Sequence, residues 1–242
     1  MNTLLLIPTE ESAGLTSACL GMIYALDCNG IKAGFVKPFC QEQDQHHNRT
    51  AALYAQLFQT QATPSITHRQ ILNAINSGEI DELLEDAVRL HREVAKQHKV
   101  IIVEGLLATT EDYFANELNA QLAKALDAKI VLVSKADLNQ PRQTAEKIEA
   151  SLRHFGGVES KRAAGVLFMR TKGLSESAAQ IPVALDTSLR LEKEIAEFTT
   201  QLQKFNRYIG TAALPVVGLV PFSNTLSVPR TFDIASNIDA TW

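Results

Sequence analysis

The stretch LLLIPTEESAGLTS, residues 4–17, determines how this sequence folds. A short apolar run meets a polar loop that ends at Gly14, and a helical pattern of small residues begins at Thr16. Strand, glycine-containing loop and helix N-terminus is the order found in phosphate-binding loops. However, Leu15 stands where such a loop carries its lysine. The sequence therefore poses the question of what a phosphate loop does without its charge.

The bulk composition is that of an ordinary globular chain, with 242 residues, 45% hydrophobic and 21% charged. This length fits one domain, residues 1–242. The net charge of −4 provides no basic field for a nucleic acid or an anionic membrane. The three cysteines are an odd number within one segment, which is typical of reduced thiols. No apolar run reaches the roughly 18 residues of a membrane span. We therefore expect a cytoplasmic protein with no nucleic-acid or membrane partner.

The hydrophobic periodicity predicts alternating strands and helices. The predicted strands are residues 3–7, 31–36, 100–103, 129–133, 163–168 and 215–220. The predicted helices are residues 16–27, 49–59, 66–98 with a break near 77–78, 111–126, 141–155, 187–208 and 230–237. This order indicates a three-layer α/β fold, a mostly parallel sheet with helices on both faces. Ligands of such sheets bind beyond the carboxyl ends of the strands, so those positions are the candidate site.

The loop after the first strand is the first candidate. Its frame consists of Thr9, Glu10, Glu11, Ser12, Ala13, Gly14, Leu15, Thr16 and Ser17. In a working loop, backbone N–H groups and the lysine hold the phosphates, and the hydroxyl residue holds Mg²⁺. The two glutamates would weaken anion binding unless their side chains point away. The alternative is a plain strand–turn–helix with Ser12 as the helix cap, which we favour over catalysis while a weak anion site stays open.

Lys37, Glu104 and Gly105 also follow predicted strands and form a possible ligand pocket. Lys37 could reach the loop and partly replace its missing lysine, or it could be a solvated lysine before a turn-forming proline. Glu104 stands where these folds usually place a Mg²⁺-ordering carboxylate. Its alternative role is a carboxylate held by neighbouring backbone N–H groups. Both alternatives stay open for each residue.

Two further patterns are weak. The sequence SKAD at residues 134–137 is similar to a guanine-reading motif but lacks its leading Asn or Thr, so Lys135 and Asp137 are interpreted as solvated loop charges. Asp44, His46 and His47 could suggest a metal, but without a third ligand nearby they are typical of a surface loop. We predict no catalytic residues and no metal ligands from chain order.

Six segments together carry a family resemblance. They are IPT-x3-AGLTS at 7–17, FVKPF at 35–39, IIVEGLL at 101–107, LNAQLAKALDAKIVLV at 118–133, FGG at 155–157 and LPVVGLVPF at 214–222. In this order they resemble the N-terminal domain of the long bacterial form of phosphate acetyltransferase, which is itself similar to the P-loop enzyme dethiobiotin synthetase. The resemblance covers residues 1 to about 240.

The resemblance implies a function that the chain itself does not carry. Phosphate acetyltransferase, an acyltransferase of acetate metabolism, interconverts acetyl-CoA and phosphate with acetyl phosphate and CoA. Its catalytic site lies in a C-terminal domain, which would follow residue 242. The family's N-terminal domain is implicated in allosteric control by metabolites such as NADH, pyruvate and nucleotides, and in hexamer assembly. The family's loop also has leucine at the Leu15 position, whereas Glu10 and Glu11 depart from it.

Three functional hypotheses follow. The leading one is a regulatory and assembly domain of phosphate acetyltransferase, whose partners would be its own catalytic domain and other subunits of a homo-oligomer. The second is a free-standing ATP-dependent ligase similar to dethiobiotin synthetase, which Leu15 argues against because such chemistry uses the lysine to stabilise phosphoryl charge. The third is a ligand-free protein-interaction module. Because the sequence stops without a polar tail or helix cap, we expect the natural chain to continue past Trp242.

Overall fold

The computed structural model of the chain describes residues 2–41, 48–137, 140–157, 160–172 and 214–221. Within them the strands are β1 Asn2–Pro8, β2 Ala33–Val36, β3 Val100–Glu104, β4 Lys129–Asp137, β5 Ala163–Lys172 and β6 Val216–Pro221. The helices are α1 Leu15–Cys28, α2 Arg49–Leu57, α3 His68–Ser77, α4 Ile80–Ala95, α5 Ala115–Ala125 and α6 Pro141–Arg153.

The strands form one sheet in the order β2-β3-β1-β4-β5-β6, and every neighbouring pair is parallel. The loop after β1 therefore leaves the sheet between β3 and β4. Successive side chains of a strand point to opposite faces, which explains why short runs such as 4–7 are apolar throughout. The α/β class and the parallel sheet predicted from the sequence are confirmed.

Helices cover both faces of the sheet, so the fold has three layers. Leu5 and Ile7 point into a core that includes buried residues of α3, α4, α5 and α6. Leu6 points the other way, into a second core with buried residues of α1 and α2. The alternation along β1 places this strand against both cores, with full burial of Leu5 and Leu6. The loop at its end is therefore anchored to a strand that is buried against both cores.

Several predicted boundaries differ from the structure. β4 continues to Asp137, so Lys135 and Asp137 lie in a strand and their interpretation as loop charges is wrong. The break predicted near residues 77–78 is confirmed, because Gly78, with a φ of 77°, ends α3 and separates it from α4. The helices predicted at 187–208 and 230–237 lie outside the described residues. Within the described part of the chain, no helix has both the length and the apolar character needed to cross a membrane.

The β2 edge of the sheet is covered by side-chain hydroxyls. The Tyr54 hydroxyl donates to the Ala33 carbonyl at 3.3 Å, and the Thr63 hydroxyl donates to the Phe35 carbonyl at 3.5 Å. All four residues of β2 are buried. An edge strand with free backbone groups is a template for pairing with another chain. The hydroxyls reduce that risk at β2.

A buried histidine links α4 to β1 and should make stability depend on pH. His91 shares a 3.0 Å hydrogen bond with the Thr3 hydroxyl, and burial together with Arg92 lowers the pKa of His91. The unfolded chain then binds more protons than the folded one once the pH falls below about 6.5, so folding loses stability on acidification. We expect the melting temperature to fall between about pH 7.5 and pH 5.5, and to fall less in His91→Gln. Thermal unfolding followed by circular dichroism measures both, and equal slopes would contradict the assignment.

Candidate functional site

The loop at residues 9–14 is fixed to β4 and closed on itself. The Thr9 N–H donates to the Val133 carbonyl at 3.0 Å, and the Thr9 hydroxyl donates to Ser134 Oγ at 2.9 Å. The Ala13 N–H donates to the Glu10 carbonyl at 3.3 Å. A phosphate loop needs its N–H groups directed at the anion. Here the N–H of Ala13 is used within the loop, which leaves a poorer anion cradle.

The start of α1 differs from the predicted cap. Gly14 is the N-cap residue with a φ of 87°, and no side chain caps the helix, so the interpretation of Ser12 as the cap is wrong. The positive φ favours glycine at this position, and an added Cβ would lie 3.5 Å from Met169 Cε. Leu15 is partly buried and packs against the core formed with α1 and α2. The lysine position of the loop is therefore an apolar contact.

Two lysines that the sequence analysis did not connect to the loop hold its acidic part. Lys147 on α6 contacts Glu10 Oε2 at 3.0 Å, and Lys135 on β4 donates to the Glu11 carbonyl at 2.7 Å. The Glu10 charge is therefore directed towards a cation on α6. The sequence carried no signal for these contacts, because each joins positions more than 120 residues apart.

Lys37 and Glu104 form a buried ion pair at the carboxyl ends of β2 and β3. Lys37 Nζ lies 3.0 Å from Glu104 Oε1, and the two side chains are only 9% and 4% exposed. The interpretation of Lys37 as a solvated lysine is wrong. The pairing follows from topology, since β2 and β3 are neighbours in the parallel sheet and both residues come at the ends of their strands. Their placement at this edge as ligand-binding residues stays a prediction.

Gly105, the third predicted pocket residue, has a packing role. Its N–H donates to the Leu6 carbonyl at 2.9 Å. An added Cβ would lie 3.0 Å from that carbonyl oxygen and 3.0 Å from Asn119 Oδ1, both of which are held in place. Buried Asn119 forms two hydrogen bonds with the Leu106 backbone, as acceptor at 2.9 Å and as donor at 2.8 Å. Asn119 thus fixes the turn after β3, a role that the sequence analysis missed.

A chain of hydroxyl groups connects the loop to the ion pair. Thr50 Oγ1 donates to Glu104 Oε1 at 3.2 Å, and Thr16 Oγ1 lies 3.0 Å from Thr50 Oγ1. Because Thr50 has one hydroxyl proton and gives it to Glu104, Thr16 must be the donor to Thr50. The relay therefore runs from Thr16 through Thr50 to the carboxylate. Sequence analysis predicted the helix that carries Thr50 but no role for this residue.

The Cys19 thiol completes the surroundings of Glu104. Cys19 is fully buried on α1, and burial, followed by the charge of Glu104, raises the pKa of its thiol well above the usual value. The thiol also donates a hydrogen bond to Glu104. A thiol with a raised pKa is a poor nucleophile, because the thiolate is the reactive form. Cys19 is therefore a hydrogen-bond donor in this site.

Alkylation rates should separate the two cysteines of α1. Cys28 is exposed whereas Cys19 is buried. We expect iodoacetamide to modify Cys19 at least about 100-fold more slowly than Cys28 in the folded protein, because reaction at Cys19 requires local unfolding. Peptide mass spectrometry after timed labelling measures the ratio, with the denatured protein as the control in which both thiols react. Equal rates in the folded protein would show that Cys19 is accessible.

A second polar cluster holds the segment that follows β3. Asp112 is buried and accepts from Gln41 Nε2 at 2.6 Å, and its other oxygen lies 2.8 Å from His68 Nε2. Gln41 also pairs with the Leu107 backbone, donating to the carbonyl and accepting from the N–H, both at 2.8 Å. Three segments at the carboxyl edge of the sheet are therefore joined by these side chains.

A small cleft of about 180 Å³ opens beside the first residues of the loop. Its lining residues are Pro8, Thr9, Leu107, Ala108, Asn116, Ala150, Ser151 and His154. Sites that enclose drug-sized ligands measure roughly 300–1,000 Å³. The cleft is thus too small to enclose a nucleotide, and Lys37, Glu104 and Gly105 do not line it.

Metal binding can be tested against the residues present. Within the described ranges, no group of three His, Cys, Asp or Glu side chains could hold a metal ion. The suggested set of Asp44, His46 and His47 lies outside those ranges. Thr16 and Glu104 are the residue types that hold Mg²⁺ in P-loop folds. However, the Lys37 ammonium already contacts Glu104 Oε1, so the arrangement does not fit a divalent cation.

Comparison with known proteins gives one matching family and a set of longer relatives. The family model described as an AAA domain matches residues 2–230. A phosphate acetyltransferase from Acinetobacter baylyi is 64% identical, covering 100% of this chain and 34% of its own length. One from Pseudomonas aeruginosa is 29% identical, covering 99% of this chain and 33% of its own length. The predicted resemblance is confirmed, and the chain spans about a third of the length of these curated relatives.

Among solved structures, a similar one is the signal recognition particle 54 kDa protein from Aeropyrum pernix K1 in complex with GDP. The TM-score is 0.40 at 14% identity, covering 69% of this chain and 35% of that chain.

Proposed function

This chain belongs to the AAA domain family, and from that premise we propose that it is a non-catalytic regulatory and assembly domain of a phosphate acetyltransferase. In this proposal the whole protein is a cytoplasmic acyltransferase that interconverts acetyl-CoA and phosphate with acetyl phosphate and CoA. The acetyl-transfer site lies in a separate C-terminal domain. The present chain, as the N-terminal domain, binds an effector and contacts other subunits of a homohexamer.

The observation that carries the non-catalytic part is the chemistry of the loop. Leu15 packs into the core where phosphoryl transfer needs a lysine, and the nearby Lys37 ammonium is bound to Glu104. Phosphoryl transfer depends on cations that stabilise charge on the transferred group. A site whose buried cation is paired with its own carboxylate lacks that stabilisation. The ATP-dependent ligase hypothesis is disfavoured for this reason.

The comparisons support the identity of the whole protein. Both relatives described above are named phosphate acetyltransferase, and both match nearly all of this chain while extending well beyond it. A domain of this kind has no catalytic centre of its own and acts by binding. The effectors implied by the family resemblance are a nucleotide, NADH or pyruvate, bound weakly.

A deletion in the full-length protein tests the proposal. We compare the intact enzyme with a variant that lacks residues 1–242, assaying acetyl-CoA formation with and without NADH, pyruvate and ATP, and measuring mass by analytical ultracentrifugation. We expect the deleted enzyme to keep acetyl transfer but to lose its response to effectors and its hexameric state. Loss of acetyl transfer in a folded deletion variant would contradict the separate catalytic site. An unchanged response and mass would contradict the regulatory and assembly role.

The isolated domain provides a second readout. Turnover of ATP by residues 1–242 would favour the dethiobiotin-synthetase-like ligase. A ligand that binds only the folded state raises the melting temperature. An effector that controls the full-length enzyme through this domain should therefore raise its melting temperature, and the absence of any shift would leave the protein-interaction module as the better description.

A further inference from the structure

The site at the strand ends contains the two residue types with which P-loop folds hold Mg²⁺, a hydroxyl residue and a carboxylate. Thr16 follows the lysine position of the loop, and Glu104 ends β3, the strand that lies between β2 and β1. In the structure the Thr50 hydroxyl bridges Thr16 and Glu104, and the Lys37 ammonium contacts Glu104. We propose that the Lys37 ammonium takes over the charge-neutralising role of the divalent cation, so this site excludes Mg²⁺ permanently. The inference does not depend on the proposed regulatory function.

Protein groups already occupy the Glu104 carboxylate. Glu104 Oε1 accepts from Thr50 Oγ1 at 3.2 Å and contacts Lys37 Nζ at 3.0 Å, and Cys19 donates a further hydrogen bond to the carboxylate. Donors that converge on one carboxylate suit its anionic form. A metal ion at Oε1 would have to displace the ammonium or the hydroxyl. At Oε1 the carboxylate is therefore already neutralised by protein groups.

The groups around Glu104 do not form the ligand set that Mg²⁺ needs while the ammonium is in place. Mg²⁺ requires near-octahedral oxygen coordination at about 2.0–2.1 Å and keeps several waters. As long as the ammonium holds Glu104, the hydroxyl proton of Thr50 points at the carboxylate, and Thr50 Oγ1 is not turned towards a metal ion. Glu104, Lys37 and Thr50 are all less than 10% exposed, so solvent screens the attraction between the ammonium and the carboxylate only weakly.

The Lys37 ammonium would also repel a divalent cation bound to Glu104. A divalent ion at the carboxylate would lie close to the Lys37 ammonium, because that ammonium is 3.0 Å from the same oxygen. Repulsion between like charges at such distances is strong inside a protein, where screening by solvent is weak. The ammonium and a divalent cation are therefore mutually exclusive partners of Glu104. Any anion that the loop binds would be recognised without a metal.

The experiment measures Mn²⁺ binding by electron paramagnetic resonance, with Mn²⁺ as the probe for a divalent cation. Three forms of the 242-residue chain are compared: wild type, Lys37→Met, and Lys37→Met/Glu104→Gln. The double variant removes both charges at nearly constant volume and serves as the matched control for surface binding. We expect wild type and double variant to bind the same number of ions. Lys37→Met should bind one more, at least about 10-fold more tightly than any site of the wild type.

Two results would overturn the proposed exclusion of Mg²⁺. One additional ion in wild type relative to the double variant would overturn the inference, because Glu104 would then accept a metal despite the ammonium. A folded Lys37→Met that binds no additional ion would also overturn it, because removing the ammonium would not have exposed a metal site. If circular dichroism shows that Lys37→Met does not fold, the comparison of wild type with the double variant still decides, equal stoichiometry being the expected result.

Discussion

Lys37→Met is expected to lower the free energy of unfolding by about 3–5 kcal/mol, because it leaves the Glu104 carboxylate buried without its ammonium partner. Both side chains are nearly inaccessible, with 9% and 4% exposure, so water cannot replace the lost contact cheaply. Since domains of this size are stable by only about 5–15 kcal/mol, the substitution removes a large part of the total. Urea denaturation followed by circular dichroism measures the change.

The double variant Lys37→Met/Glu104→Gln is the informative control. Replacing a buried ion pair by neutral groups of similar volume is often neutral or stabilising, because the desolvation cost of both charges disappears. We therefore expect it to recover most of the stability lost in Lys37→Met. A double variant as unstable as the single one would mean that the lysine stem, and not the charge pair, determines the effect.

The surface pair Arg142–Glu146, with 78% and 60% exposure, should contribute at most about 1 kcal/mol.

The sequence analysis named both residues of this pair but did not predict the contact between them. Lys37 and Glu104 each follow a predicted strand, and the parallel order of the sheet places strand ends together. Two such side chains meet only if their strands are neighbours in the sheet. The order of the strands along the chain does not show that β2 lies beside β3. The same limit explains Thr50, which joins the site because the first turn of α2 lies beside the first turn of α1. The fold class was predictable because it rests on local periodicity.

The effect of the two glutamates in the loop at residues 9–14 could not be predicted from their charge. From the sequence, Glu10 and Glu11 could only be counted as charges near a possible anion site. Their effect depends on where the side chains point, and Lys147 on α6 holds the Glu10 carboxylate, while Lys135 on β4 holds the backbone carbonyl of Glu11. The sequence also could not show that Ala13 and Glu10 close a hydrogen bond within the loop. Together these contacts make the loop a fixed element of structure, consistent with the leucine at its lysine position.

The second large effect is expected at Asn119, the side chain that fixes the turn after β3. Asn119→Ala should lower the free energy of unfolding by roughly 2–5 kcal/mol, because it leaves the Leu106 N–H and carbonyl buried without partners, at about 1–3 kcal/mol each. Both groups now bond to the Asn119 amide, at 2.9 and 2.8 Å, and Asn119 is fully buried. The loss also reaches Gly105, whose backbone lies against the same amide oxygen.

Asn116→Ala is the matched control, since it removes the same side chain from the same helix. Asn116 is partly exposed and makes only a 3.3 Å contact with His154 among the described residues. Its substitution should change stability by no more than about 0.5 kcal/mol. Hydrogen exchange sharpens the comparison, because the Leu106 amide should lose protection in Asn119→Ala and keep it in Asn116→Ala. Similar effects of the two substitutions would mean that the turn is held by its backbone contact to Leu6, and that the asparagine is dispensable.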